Sequence, residues 1–365
     1  MTLYSTSIVA SAYYVPEGRL SNAELIERYG AETMAKIADS SGILERRVTK
    51  NGECASDLAM RAAQDLFSHN DIAPASIDLI LFATQTPDYL LPTTACMLQQ
   101  RLQIPQHAAA FDINLGCSQY VYALSVAHSM IVAGLANRAL VLTGDTVSRI
   151  LHPNDRAVVP LFGDAGTATV IDRVPEGQGF LQFELGSDGS GAQYLIWPTS
   201  GLRIPKTAET AAETQDKMGA VRRKDDMFMD GKAIFVFTMK VVPKVVTQLL
   251  DKACLTTDDI DLFIFHQASE MIIQTSAKKL KIPQEKLHYK LHDIGNSGGS
   301  TVGIALTDAW LSGRIKPNMR ILLCAFGVGL SWSATVVRWP EKTFGPACTV
   351  DFSNSPQRPA NQRIL

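Results

Sequence analysis

The sequence predicts an α/β protein made of two copies of one unit, and three pairs of segments carry that prediction. Ile77-Asp78-Leu79-Ile80-Leu81-Phe82 reads as a buried strand, and Ile260-Asp261-Leu262-Phe263-Ile264-Phe265 repeats its character at an offset of 183 (77 to 260). Gly116-Cys117-Ser118 opens the helical stretch Tyr120 to Ala133, and Gly298-Gly299-Ser300 opens Thr301 to Leu311, at an offset of 182 (116 to 298). Arg138-Ala139-Leu140-Val141-Leu142 and Arg320-Ile321-Leu322-Leu323-Cys324 are strand-like and again lie 182 apart (138 to 320). A single pair is ordinary, because buried strands look alike. Three pairs in one register argue for duplication.

Taken in order, a first half, 1–175, alternates apolar strands with amphipathic helices such as Ala55 to Phe67 and Ala95 to Leu102. A second half, 231–340, does the same, with a helix at Val241 to Ala253. Strands that are apolar throughout belong to sheets covered on both faces, which gives a layered α/β architecture. Between the halves the character changes. Arg203 to Asp226 carries Thr-Ala-Glu runs and Arg222-Arg223-Lys224 without apolar periodicity, so 176–230 reads as a connecting excursion, placed as a lid over a substrate tunnel. After Trp339 the strand pattern stops. The segment 341–365 follows Pro340 and carries Pro346, Pro356 and Pro359, an extended tail that either wanders or docks on a surface.

Composition bounds the function. The 34 Lys+Arg and 36 Asp+Glu leave a net charge of −2, which provides no bulk attraction to nucleic acid or to an anionic membrane. No apolar run reaches the roughly 20 residues of a membrane helix. The six cysteines, at 54, 96, 117, 254, 324 and 348, form no CxxC pair, and the first residues lack a charged-then-apolar signal, so a reduced, cytoplasmic protein is expected.

Cys117 follows Asp112-Ile113-Asn114-Leu115-Gly116 and immediately precedes a helix, whose free N–H groups and dipole favour a thiolate. The other five cysteines read as small apolar side chains. His266 ends the strand Leu262 to Phe265, at the kind of strand edge where α/β sites form. Asn296 lies in Gly295-Asn296-Ser297-Gly298-Gly299-Ser300, the counterpart, by the duplication, of the loop that bears Cys117. Each signal is weak alone, since a strand-end histidine is often structural and a loop asparagine often serves its own turn. Pseudo-symmetry brings all three to one place. Gly327-Val328-Gly329 is a tight turn that either aims backbone N–H groups at a ligand oxygen or only reverses the chain. Gly163-Asp164-Ala165-Gly166 lacks the spacing and lysine of a phosphate loop, and His288 and His292 run into a glycine loop rather than along a helix, so neither a nucleotide nor a metal site is expected.

With these residues in place, the sequence resembles the β-ketoacyl-acyl-carrier-protein synthase III family of the thiolase-like superfamily from about Tyr4 to Trp339. The matching segments include Gly42-Ile43-Leu44-Glu45-Arg46-Arg47, Ala110-Phe111-Asp112 through Cys117, Asp155-Arg156 before Leu161-Phe162-Gly163-Asp164, Met229-Asp230-Gly231, His266-Gln267-Ala268, Gly295-Asn296-Ser297 and Ala325-Phe326-Gly327-Val328-Gly329 with Trp332. The resemblance implies a thiolase-like five-layered αβαβα fold made of two duplicated halves, a homodimer, and a Cys-His-Asn triad on Cys117, His266 and Asn296. It implies that an acyl group from acyl-CoA or acyl carrier protein loads Cys117 while the N–H groups of Cys117 and Val328 hold the oxyanion. A malonyl thioester then loses CO₂ with hydrogen bonds from His266 and Asn296, and no cofactor is permanently bound.

Several positions depart from that family's pattern. Lys36 and Ser40 stand where a Trp and an Arg sandwich the adenine of coenzyme A, and Ser269 and Met271 replace an Asn on the pantetheine arm and a basic residue. A carrier-protein or unusual acyl donor is therefore expected, with Arg156 and Ser269 as candidate pantetheine contacts. Val328 replaces a glycine, keeping its N–H while adding bulk near the acyl site. Leu91 replaces a Phe at the end of the acyl pocket, which would admit a longer chain. Lys240, Lys244, Lys278 and Lys279 are either a basic rim for an acidic carrier protein or ordinary solvated lysines. Two other readings keep the same residues: transfer of the acyl group to a hydroxyl or amine without decarboxylation, and a non-catalytic partner subunit.

Overall fold

The computed structural model describes residues 4–50, 52–217, 219–350 and 352. Two sheets share one strand order. In the first, Leu79–Thr84, Ala139–Thr146, Asp164–Pro175 and Tyr4–Tyr14 lie side by side, and in the second Leu262–Phe265, Arg320–Gly327, Ser331–Arg338 and Gly179–Ser187 do the same. The pairing senses repeat as well: parallel, then antiparallel twice. Ala109–Asn114 extends the first sheet beside Leu79–Thr84, and in the second sheet that place holds, among the described residues, only a parallel bridge from Phe263 to Leu287.

The alternation of side chains along each strand explains the layers. Leu79 and Leu81 face one way and join Leu262 and Ile264 of the other sheet in a single central cluster, together with Val121 and Leu124 of the helix Gln119–Val132 and Val302 and Leu306 of the helix Thr301–Leu311. Ile80 and Phe82 face the other way, onto Ala59 and Leu66 of Ala55–Asn70 and Leu98 of Thr94–Arg101. Phe263 and Phe265 likewise face Val242 and Leu249 of Gly231–Lys252 and Ile273 of Glu270–Leu280. Helix, sheet, helix, sheet, helix gives five layers. The two central helices are apolar nearly all round because they are covered on both sides. Hydroxyls placed in that core pair with one another, as in Thr143 with Thr167 at 2.6 Å and with Ser300 at 2.9 Å.

One part of the chain differs from the sequence expectation. The segment 176–230 is not all excursion: Gly179–Ser187 is a full edge strand of the second sheet, paired along Ser331–Arg338. Its exterior positions are half-open, which hid it among polar residues. The described part of the tail docks, as Gly345–Ala347 pairs in parallel with Tyr4–Tyr14 and Cys348, Val350 and Phe352 cover Tyr13. Residues 351 and 353–365 lie outside the described residues. Gly231–Lys252, at 22 residues, is long and apolar enough to cross a membrane, yet its Val242, Val245, Val246 and Leu249 are buried against the second sheet.

Candidate active site

The site forms where the two central helices begin. Cys117 sits between the strand Ala109–Asn114 and the helix Gln119–Val132, and Asn296 sits in the loop before Thr301–Leu311. His266 follows the strand Leu262–Phe265, its backbone N–H donating to the Cys324 carbonyl at 2.8 Å. All three line one cavity of about 240 Å³, with Phe162, Leu195, Phe326 and Gly327 around them. Sequence reasoning placed them together, and the structure does so too.

Local bonds decide what each side chain offers the cavity. The His266 Nδ1 lies 2.6 Å from the Thr301 hydroxyl, which itself accepts from the Gln267 backbone N–H at 3.4 Å. The tautomer in which this hydroxyl gives its hydrogen to Nδ1 leaves the ring proton on Nε2. Burial pushes the His266 imidazole down to about 3, so it is neutral at physiological pH. Asn296 is held at three points: its N–H donates to Leu161 at 2.8 Å, its carbonyl accepts from Gly163 at 3.0 Å, and its Oδ1 accepts from the Gly298 N–H at 3.1 Å. The free end of its carboxamide is therefore the NH₂. In that tautomer His266 Nε2–H and Asn296 Nδ2–H₂ are two neutral donors, which suit a carbonyl oxygen that gains negative charge.

Around the sulfur the arrangement is tighter still. The backbone N–H groups of Cys117 and Val328 both point at the Cys117 sulfur. Gly327 must be glycine here, because a Cβ on it would lie 2.6 Å from the Cys117 Cβ and 2.8 Å from Sγ. Contrary to the expectation of a dipole-stabilised thiolate, burial pushes the Cys117 thiol up to about 12, with the nearby Asp145 carboxylate adding to the rise and the two N–H groups opposing it. The resting sulfur is a thiol. Desolvation outweighs the helix end because Cys117 is only 4% exposed.

Asp145, which sequence reasoning passed over, ties the site together. This buried carboxylate accepts from the Gln85 N–H at 2.9 Å, the Thr84 hydroxyl at 3.2 Å, Gln119 Nε2 at 3.1 Å and the Gly299 N–H at 2.8 Å. It therefore clamps the entries of both central helices. Burial raises it to about 7 despite those bonds. A lone acid near the C-terminal end of an otherwise apolar strand was the available signal.

Other expected site residues are distributed differently. Ser269 lines the cavity with Met271 and Ser40, and its hydroxyl caps the helix Glu270–Leu280 by accepting from the Ile272 N–H at 3.2 Å. Arg156 does not line the cavity; its guanidinium lies against Gly219 of the excursion, beside the buried ion pair of Asp155 with Arg222. Leu91 is 85% exposed and does not line this cavity in the single chain. Lys36 is spent on an exposed ion pair with Glu32. The excursion contributes walls, through Leu195 and Met229.

A five-layered thiolase-like fold, with a buried cysteine under two N–H groups and a histidine and asparagine as donors in the same cavity, defines a condensing enzyme of the acyltransferase class. The family model for 3-oxoacyl-[acyl-carrier-protein] synthase III matches residues 111–189, and that for the C-terminal part of the same synthase matches 250–339. The chain is 36% identical over 337 residues to the beta-ketoacyl-[acyl-carrier-protein] synthase III of Caldanaerobacter subterraneus subsp. tengcongensis, covering 92% of this chain and 98% of that one. A crystal structure of a 3-oxoacyl-(acyl-carrier-protein) synthase III superposes with a TM-score of 0.89 at 39% identity, over 92% of this chain and all 100% of the other. The corresponding enzyme of Thermus thermophilus gives 0.82 at 36% identity, over 92% and 99%. This chain belongs to the β-ketoacyl-acyl-carrier-protein synthase III family.

Proposed function

We propose that Cys117 carries the acyl group and that His266 and Asn296 serve the second, decarboxylative half of the reaction. The Cys117 sulfur attacks the carbonyl carbon of an acyl thioester, the Cys117 and Val328 N–H groups hold the oxyanion, and the departing thiol takes the proton. A malonyl thioester on a carrier protein then sets its thioester oxygen between His266 Nε2–H and Asn296 Nδ2–H₂. Its bond to the carboxylate breaks, CO₂ leaves, and the resulting enolate carbon attacks the acyl carbon. Collapse returns sulfur to Cys117 and gives a β-ketoacyl thioester. The chemistry is supplied by side chains, backbone and the thioester substrates, with no group permanently bound. The observation that carries this reading is the pairing of two donors, each fixed by its own bonds, opposite a sulfur under two N–H groups.

The same reading extends to partners. Ile234, Phe235 and Thr238 of Gly231–Lys252 and Met271 and Ile272 of Glu270–Leu280 frame the cavity, and the exposed Lys240, Lys244, Lys278 and Lys279 lie on those helices, suiting an acidic carrier protein. A homodimer is supported by the first sheet's edge. Ala109–Asn114 has no strand on its outer side among the described residues, and Tyr89, Leu90 and Leu91 beside it are 57%, 68% and 85% exposed. A second copy would cover both, and would give Leu91 a cavity other than its own. We place the enzyme in the cytoplasm, as two pseudo-symmetric halves with the site at their junction.

Supplying acyl thioester and malonyl-carrier protein together tests this. Release of one CO₂ per β-ketoacyl product, lost in Cys117→Ala, is expected. Acyl transfer to a hydroxyl or amine with no CO₂ would contradict it.

A further inference from the structure

A second, larger cavity of about 710 Å³ lies against the one that holds Cys117, and Leu195 lines both. The wall between them is made of two dipeptides. Cys117 and Gly327 face the smaller cavity, while Gly116 and Val328 face the larger. The dipeptides touch along their length. A Cβ on Gly327 would strike Cys117, and one on Gly116 would lie only 2.0 Å from Val328 Cγ1 and 2.9 Å from Gln85 Oε1. The side chain that thickens this wall is thus the Val328 isopropyl group, seated on Gly116 opposite the Gln85 carboxamide. Its partners beyond are apolar, since it packs with the cluster of Leu195, Met227 and Ile150.

We propose that Val328 is the specificity-determining residue of the acylation step: its side chain closes the passage from Cys117 to the larger cavity and confines the acyl group to short chains. This deepens the reading above and rests on Cys117 being the acylated atom. The Val328 N–H serves the oxyanion whatever side chain it carries, so selectivity and oxyanion binding share one residue through different atoms. Opening the wall would give a longer chain the volume lined by Leu90, Ile150, Leu195 and Met227. Leu91 cannot set chain length from within its own chain, because it does not reach this wall.

The test uses the full-length enzyme and three donors, the acetyl, butyryl and octanoyl thioesters of acyl carrier protein, with rates of adduct formation on Cys117 read by intact-protein mass spectrometry. The wild type is expected to acylate with acetyl and butyryl and poorly with octanoyl. In Val328→Gly the octanoyl-to-acetyl rate ratio should rise at least about tenfold, the scale of a methylene-sized change in a substrate pocket. Val328→Ala, which keeps a Cβ and its backbone restriction, should rise by less, and Val328→Ile should fall below the wild type. A wild type that takes octanoyl as fast as acetyl, or a ratio unchanged in both Val328→Gly and Val328→Ala while both are acylated, overturns the gate and leaves Cys117 as nucleophile. Adducts that persist at full rate in Cys117→Ala overturn the underlying reading and the gate with it.

Discussion

The two halves approach the site with the same backbone and opposite chemistry. In each, a central helix starts beneath a glycine-bearing loop at the junction of the layers, but the first half places a thiol there and the second a carboxamide. The strand ends differ in the same way. The second half puts His266 after Leu262–Phe265, whereas the equivalent end of Leu79–Thr84 leads to Gln85, whose N–H and side chain turn to Asp145. Two equivalent helix entries thus carry different side chains, and the proposed roles of acyl carrier and hydrogen-bond donor divide along that line. Asp145 belongs to one half and binds the entries of both, so a single carboxylate keeps the two roles in register.

The largest effect of substitution falls on the shared core. Leu124 and Leu306 occupy equivalent turns of the central helices and are both fully buried in the same cluster. Leu124→Ala and Leu306→Ala should each cost about 2–5 kcal/mol, measured by denaturant unfolding, through lost burial and the cavity left behind. Similar values would support equivalence of the halves; one costly and one neutral change would break it. A smaller effect is expected at the clamp. The Asp145 charge raises the Cys117 thiol, so Asp145→Asn should lower it and shift the pH profile of iodoacetamide alkylation toward lower pH, with severalfold faster labelling in mildly alkaline buffer. An unchanged or upward-shifted profile would show that Asp145 acts on the helix entries alone.

Much of this architecture is legible in the amino-acid sequence. Buried strands of continuous apolar character announce the sheets, and their common register announces the duplication, because covered strands tolerate little else. That Cys117, His266 and Asn296 line one cavity is legible for the same reason, since equivalent loops converge. What escapes depends on direction rather than order. Leu91, expected at the end of the acyl pocket, is 85% exposed and lines neither cavity of the single chain. The strand Gly179–Ser187 is hidden because an edge strand with one half-open face lacks the apolar run that marks a central one. Activation of the thiol by a helix end is a local effect, whereas burial is a property of the whole fold and decides the sign.

The central claim is that acylation belongs to the first half and condensation to the second. It is tested most directly in His266→Ala and Asn296→Ala, each incubated with acyl thioester and then with malonyl-carrier protein, while the adduct on Cys117 and the release of CO₂ are followed together. The account predicts a stoichiometric acyl adduct that forms and then persists, with CO₂ release slowed by about 10²–10³, the scale for losing one preorganised donor. Failure to form the adduct, or an adduct consumed with CO₂ at the wild-type rate, would contradict it.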